Sequence, residues 1–157
     1  MLAIITDSTC DIPEALIAKY GIIVVSHVII WGEEQFRDRV DLQPKEFYQR
    51  LQEDERRPTT AQASVGDFLD GIGQAIEQGA SEAIILTVSS AMSGAYDMAV
   101  TAADQAEIPV IVIDSKGPTM SLGWQVLAAA RARDEGLDLD AIIQRVKHIR
   151  ESLVQVV

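Results

Sequence analysis

Short aliphatic runs alternate along this chain with longer segments of helical periodicity, and the longer segments carry start and stop signals. Leu2–Ile5, Ala83–Val88 and Val110–Ile113 read as strands. Ile22–Trp31 is continuously apolar and β-branched except at Ser26 and His27, the pattern of a strand buried on both faces. Between them, Asp11-Ile-Pro-Glu14 sets a capping acid, a first-turn proline and a glutamate at capping-box spacing, which predicts a helix that stops at Gly21. Ser64-Val-Gly-Asp67 is a second such signature, ahead of Val65, Phe68, Leu69, Ile72 and Ile76 on one face of a helix closed by Gly79. Further helices are expected over Pro44–Asp54, from Ser93 to about Ala106, over Thr119–Glu135 before Gly136, and over Asp138–Glu151.

Parallel strands need a crossover, and the usual crossover is a right-handed helix. The alternation therefore predicts an α/β fold of three layers, a mostly parallel sheet with helices on both faces. The 157 residues, 48% of them hydrophobic, suit a single domain over residues 1–157 with a substantial core. Gly32-Glu33-Glu34 is expected to turn the chain, and the tail Leu153–Val157 is apolar enough to begin another strand.

With 24 Asp and Glu against 13 Lys and Arg, the formal charge of -11 opposes binding to a phosphate backbone or an anionic bilayer. Arg145, Lys147, His148 and Arg150 are read as dipole compensation at a helix end rather than a nucleic-acid patch. The single cysteine, Cys10, excludes an internal disulfide and a cysteine-based zinc cluster. No run approaches the ~20 apolar residues of a membrane span, and the short apolar start lacks a basic leader, so a cytoplasmic location is expected.

In an open parallel sheet the loops leaving the C-terminal strand ends share one edge, where ligands usually bind. Three such loops are rich in hydroxyls: Thr6–Asp11, with Asp7 and Ser8; Ser89–Gly94; and Asp114–Pro118, with Ser115. Gly94 allows close backbone approach or a positive φ, and free amides at a helix start suit a carboxylate or phosphate at Ser89, Ser90 and Ser93. The segment Pro58–Ser64 could lean Thr59, Thr60 and Gln62 over the same edge. Asp7, Asp11 and Asp114 are read as carboxylates that accept loop amides, and no metal or cofactor is expected. His27 and His148 read as structural or surface histidines and Cys10 as inert, and no nucleophile–base pair, Walker A or GxGxxG pattern is present. Catalysis by this chain alone is not expected.

Taken together these segments resemble the DegV family, whose best understood members are the fatty-acid-binding subunits of bacterial fatty acid kinase. The resemblance runs through Ile5-Thr-Asp-Ser-Thr9, Phe36-Arg-Asp-Arg-Val-Asp41, Phe47-Tyr48, Pro58–Ser64 (similar to a TSQPS-type loop), Ser89–Tyr96 (similar to SSxLSGTY) and Ile113-Asp-Ser115. It implies a long-chain fatty acid in a tunnel, its carboxylate held by Thr60 and Ser90 with Ser89, Ser93 and Gly94 around them, and supported by the loops of Asp7, Ser8, Thr59, Gln62, Asp114 and Ser115. It further implies that a separate kinase subunit phosphorylates the bound acid, so that this chain binds without catalysing. Departures are Ala61 and Ala63 in the TSQPS-type loop, Ala95 after the SG pair, and Ser26-His27 where a Pro-Leu pair is common. Family members are nearly twice this length, so only their N-terminal domain is matched; the C-terminal domain, which covers the tunnel, has no counterpart here, and self-association or a missing second domain is expected. A binding protein or enzyme for a small phosphorylated metabolite, and a ligand-free interaction domain or truncated fragment, are the competing readings.

Overall fold

The computed structural model describes residues 1–155. Its elements in chain order are β1 (Leu2–Asp7), a 3-10 turn (Ser8–Cys10), α1 (Glu14–Tyr20), β2 (Ile23–Val25), β3 (Val28–Trp31), β4 (Glu34–Arg37), α2 (Pro44–Glu53), β5 (Thr59–Ala61), α3 (Val65–Glu77), β6 (Glu82–Thr87), α4 (Ala95–Ala103), β7 (Val110–Asp114), α5 (Met120–Asp134) and α6 (Leu139–Ser152). Strands β2-β1-β6-β7, in that spatial order, form a wholly parallel sheet.

Side chains alternate across a strand, and here both faces are apolar. Leu2, Ile4, Ile84 and Leu86 meet α5 and α6 through Leu122, Val126, Ala129, Ile142 and Val146, with α1 alongside through Leu16 and Ile17. Ala3, Ile5, Ala83 and Ile85 face the other way, onto Phe68, Ile72 and Ala75 of α3 and Ala95, Ala99 and Ala102 of α4. The three-layer architecture expected from the sequence is present. Helix α5 comes so close to the turn after β1 that a Cβ on Gly123 would lie 2.4 Å from the backbone oxygen of Cys10.

The predicted capping box at α3 is complete: Ser64 Oγ accepts from Asp67 N at 3.2 Å, and Asp67 Oδ2 accepts from Ser64 N at 2.7 Å. At α1 the expectation fails. Asp11 takes a left-handed conformation (φ 51°) and its carboxylate faces Arg39 at 3.3 Å, leaving the first turn without a side-chain cap. Gly21, at φ 56°, closes that helix as predicted.

The run Ile22–Trp31 is not one strand. The chain leaves the parallel sheet at Ser26 and His27, and β3 begins a second, antiparallel sheet of order β4-β3-β5. Two polar contacts hold the joint: Ser8 Oγ accepts from His27 N at 3.1 Å, and Ser26 Oγ donates to Asp38 O at 2.9 Å. The small sheet packs on α2 through Ile29, Trp31 and Leu42, with Phe36, Phe47 and Leu51 around them. The guanidinium of Arg50 lies 4.7 Å from the Trp31 ring centroid, so a cation–π contact closes the cluster. Strands β4 and β5 were not expected from the sequence, and Leu153–Gln155 form no strand; the remainder of the tail, Val156–Val157, lies outside the described residues.

Candidate functional site

The three hydroxyl-rich loops do meet at the C-terminal edge of the parallel sheet, and two carboxylates tie them down. Asp7 ends β1, fully buried. Its Oδ2 accepts from Val88 N at 2.7 Å, across to the end of β6, and its Oδ1 accepts from Thr9 N at 3.0 Å and Thr9 Oγ1 at 2.6 Å. His27 Nε2 stands 3.7 Å from the same Oδ1. Burial pushes the Asp7 carboxyl up, but His27, Thr9 and the Val88 amide outweigh it, so the group is held below its ordinary value and is ionised.

Asp114 ends β7 and performs the second fastening. It accepts from Ser90 N at 3.2 Å, Ser90 Oγ at 2.6 Å and Lys116 N at 2.9 Å. Partial burial raises its pKa, and the bonds from Ser90 and Lys116 more than reverse that, so this carboxyl too lies below the ordinary value. Ser115 turns inward, its Oγ donating to Gly117 O at 2.8 Å, while Gln125 of α5 donates to Ser115 O at 2.9 Å.

The Ser89–Gly94 loop is largely self-satisfied. Ser89 Oγ accepts from Ala91 N at 3.3 Å, Ser93 Oγ accepts from Ala95 N at 3.2 Å, and Gly94 N donates to Gln62 Oε1 at 3.1 Å. Helix α4 starts at Ala95 rather than at Ser93. Gly94 has an ordinary φ of -76°, so of the two expected uses of this glycine it is close approach, here to Gln62, that the structure shows: a Cβ there would lie 2.6 Å from Gln62 Nε2. Through Gln62, the segment after β5 is bonded to this loop.

A groove of about 270 Å³ opens where the loop after β1 meets the small sheet and α2. Thr9, Asp11, His27, Asp38, Arg39 and Thr60 form its polar part, and Ile29, Pro44, Phe47 and Tyr48 its apolar wall. Thr60 is placed there by β5, paired to Ile29 of β3; Thr59 pairs with Ile30. Ser90 and its neighbours do not line this groove, so the structure does not bring the two expected carboxylate partners, Thr60 and Ser90, together in it. Arg39 was not foreseen. It adopts φ 64° in the loop after β4, and its guanidinium donates to Ile12 O at 3.0 Å and lies against Asp11 and Glu14 at 3.3 and 3.4 Å. Its exposed sequence surroundings gave no signal that it folds back 27 residues to the first loop. Cys10 is buried with its thiol pushed up to about 11, chiefly by desolvation. Among the described residues no group of three or more His, Cys, Asp and Glu is placed to hold a metal ion, and no helix is long and apolar enough to cross a membrane.

The sequence model of the DegV family, whose members carry the description uncharacterised protein, matches residues 1–156. A DegV domain-containing protein of Clostridium perfringens is 34% identical over 153 residues, covering 97% of this chain and 54% of that protein. Another from Caldanaerobacter subterraneus is 39% identical over 146 residues, covering 92% of this chain and 51% of its own length. Among solved structures, a fatty-acid-binding DegV family protein from Thermus thermophilus superposes with a TM-score of 0.86 at 30% identity, over 96% of this chain and 53% of that one. A stearic-acid-binding protein from Eubacterium ventriosum gives 0.85 at 27% identity, over 94% and 52%. The chain thus spans about half the length of the relatives it matches. Its motifs, its parallel sheet with the carboxylate-pinned loops, and a sequence match over residues 1–156 make it a member of the DegV family.

Proposed function

We propose that this chain binds the carboxylate end of a long-chain fatty acid and offers it to a separate kinase subunit for phosphorylation. The observation that carries the reading is the divided lining of the groove: polar groups on one part, from Thr9, Thr60, His27 and Arg39 with Asp11 and Asp38 beside them, and apolar surface on the other, from Ile29, Pro44, Phe47 and Tyr48. An amphipathic cleft of this kind suits a ligand with a charged head and a hydrocarbon tail. The fatty acids carried by the Thermus and Eubacterium relatives supply the ligand class.

In this reading Thr60 donates to the carboxylate and Arg39 offsets its charge. The loop of Ser89, Ser90, Ser93 and Gly94 gives the second donor, with Ser90 turning its hydroxyl from Asp114 to the ligand. Asp7, Ser8, Thr59, Gln62, Asp114 and Ser115 hold the loops in place. The role is binding rather than catalysis: the carboxylate that accepts a hydrogen bond from the Ser90 hydroxyl, Asp114, has a lowered pKa and so makes a poor general base. The lone buried thiol suits a reducing compartment such as the cytoplasm. The groove is open to solvent, and a second domain, a second copy or the kinase would complete its cover.

Native mass spectrometry of the purified protein, followed by denaturing extraction, tests the reading without a guess at the ligand. A C14 to C18 acid carried by the protein, at near one per chain only where a second copy covers the groove, and reduced in Thr60→Ala and in Ser90→Ala variants of normal stability, is the expected result. Normal loading of both variants would refute the assignment of the carboxylate.

A further inference from the structure

We infer that His27 is a ligand-contacting residue of the groove: its imidazolium, with ionised Asp7 behind it, meets the carboxylate, so carboxylate binding takes up a proton. This deepens the fatty-acid reading and rests on it.

The ring is fixed from both backbone sides. His27 N donates to Ser8 Oγ at 3.1 Å, and His27 O accepts from Asp38 N at 2.9 Å. The side chain lines the groove and keeps 12% of its surface exposed, while Nε2 is enclosed without a hydrogen-bond partner. Its distance of 3.7 Å from Asp7 Oδ1 is too long for a good hydrogen bond but short for a charge interaction. Asp7 has already spent its oxygens on Val88 and Thr9, so the histidine is not needed to satisfy it. An enclosed nitrogen left unpaired is costly, and a positive charge on the ring turns that position into a favourable one beside a buried anion.

The charge balance around the ring points the same way. Asp7 lies behind it, and Asp11, Asp38 and Arg39 face it from the groove walls. Arg39 is itself engaged with Asp11, Glu14 and the Ile12 carbonyl. An incoming carboxylate therefore meets the carboxylates of Asp11 and Asp38, with Asp7 behind the ring, and one partly neutralised guanidinium, a field that repels it. A protonated His27 is a groove-lining group able to offset that field, imidazole being the side chain that can change charge in the physiological range.

Dodecanoate and its neutral analogue dodecanol are suitable probes, because dodecanoate stays ionised from pH 6 to 8. Following the His27 ring by 15N NMR, we expect saturation with dodecanoate to raise its titration midpoint by about one pH unit, with dodecanoate binding tighter at pH 6 than at pH 8 by up to about sixfold. Dodecanol binding should show no such dependence, and neither should dodecanoate binding to His27→Leu. A dodecanoate-saturated protein whose His27 midpoint has not moved would overturn the inference while leaving the fatty-acid reading intact. Failure of both probes to bind at either pH would remove that reading, and the role of His27 with it.

Discussion

Replacing Asp7 by Asn keeps the shape of the side chain and changes only what its two terminal atoms can do. The carboxylate accepts three hydrogen bonds, from Val88 N, Thr9 N and Thr9 Oγ1, with no exposure to water. An amide has one oxygen and one NH2, so one side of the network must present a donor to a donor. Losing a single charge-assisted bond costs about 1.5–3 kcal/mol, and leaving the facing buried amide unsatisfied adds about 1–3 kcal/mol. A loss of about 3–5 kcal/mol follows, a large fraction of the ~5–15 kcal/mol that stabilises a typical domain. For a chain of this size each kcal/mol moves Tm by about 2–4 °C, so thermal unfolding should shift down by roughly 6–20 °C. The wild-type protein adds a pH signature. Because the folded pKa of Asp7 lies below its ordinary value, the network contributes fully above about pH 4 and is lost as pH falls through the folded value. Asp7→Asn should lose that part of the acid limb. A Tm within about 3 °C of wild type would refute the view that Asp7 fastens the ends of β1 and β6.

Three further outcomes are expected. Gly123→Ala forces a methyl to within 2.4 Å of a backbone oxygen that cannot swing aside, and urea unfolding should show a loss of at least about 1–3 kcal/mol. The Cys10 thiol, pushed up to about 11 and buried, should not react with a disulfide reagent at pH 8 in the native state and should react stoichiometrically on unfolding. Full enclosure of a C16 tail gains about 11 kcal/mol at ~0.8 kcal/mol per methylene, and a groove open along one side forgoes about half. Calorimetry with palmitate should therefore find affinity lower by roughly 10³–10⁴ than in a closed tunnel, and submicromolar binding to a monomer would contradict the open groove.

What could be read in the sequence had local causes. The helix start at Ser64 is fixed by a hydroxyl and a carboxylate three residues apart, and the strands around Ile4 and Ile84 by apolar character on both faces. The break at Ser26 and His27 was visible as two polar residues in an apolar run, yet nothing local says that the chain changes sheet there. That depends on Ser8 and Asp38, which are distant in sequence. Strand β5 is three exposed residues held by β3 and has no composition of its own. The groove is drawn from five separate segments, so Thr60 could be named while Arg39 and the position of His27 could not.

The passage of one apolar run through two sheets divides the molecule into unequal parts. The parallel sheet is buried between helical layers, whereas the small sheet rests on Ile29, Trp31 and Leu42, and α2 contributes no buried residue of its own. Free energies of local opening follow such differences in buried contact. Amide protons of β3, β4 and β5 should therefore exchange with solvent well before those of β1 and β6, through openings that leave the parallel sheet intact. One wall of the groove belongs to the slow-exchanging part and the other to the fast. A ligand bridging the two would be read out as protection gained in the small sheet alone, on the far side of a joint only two residues long.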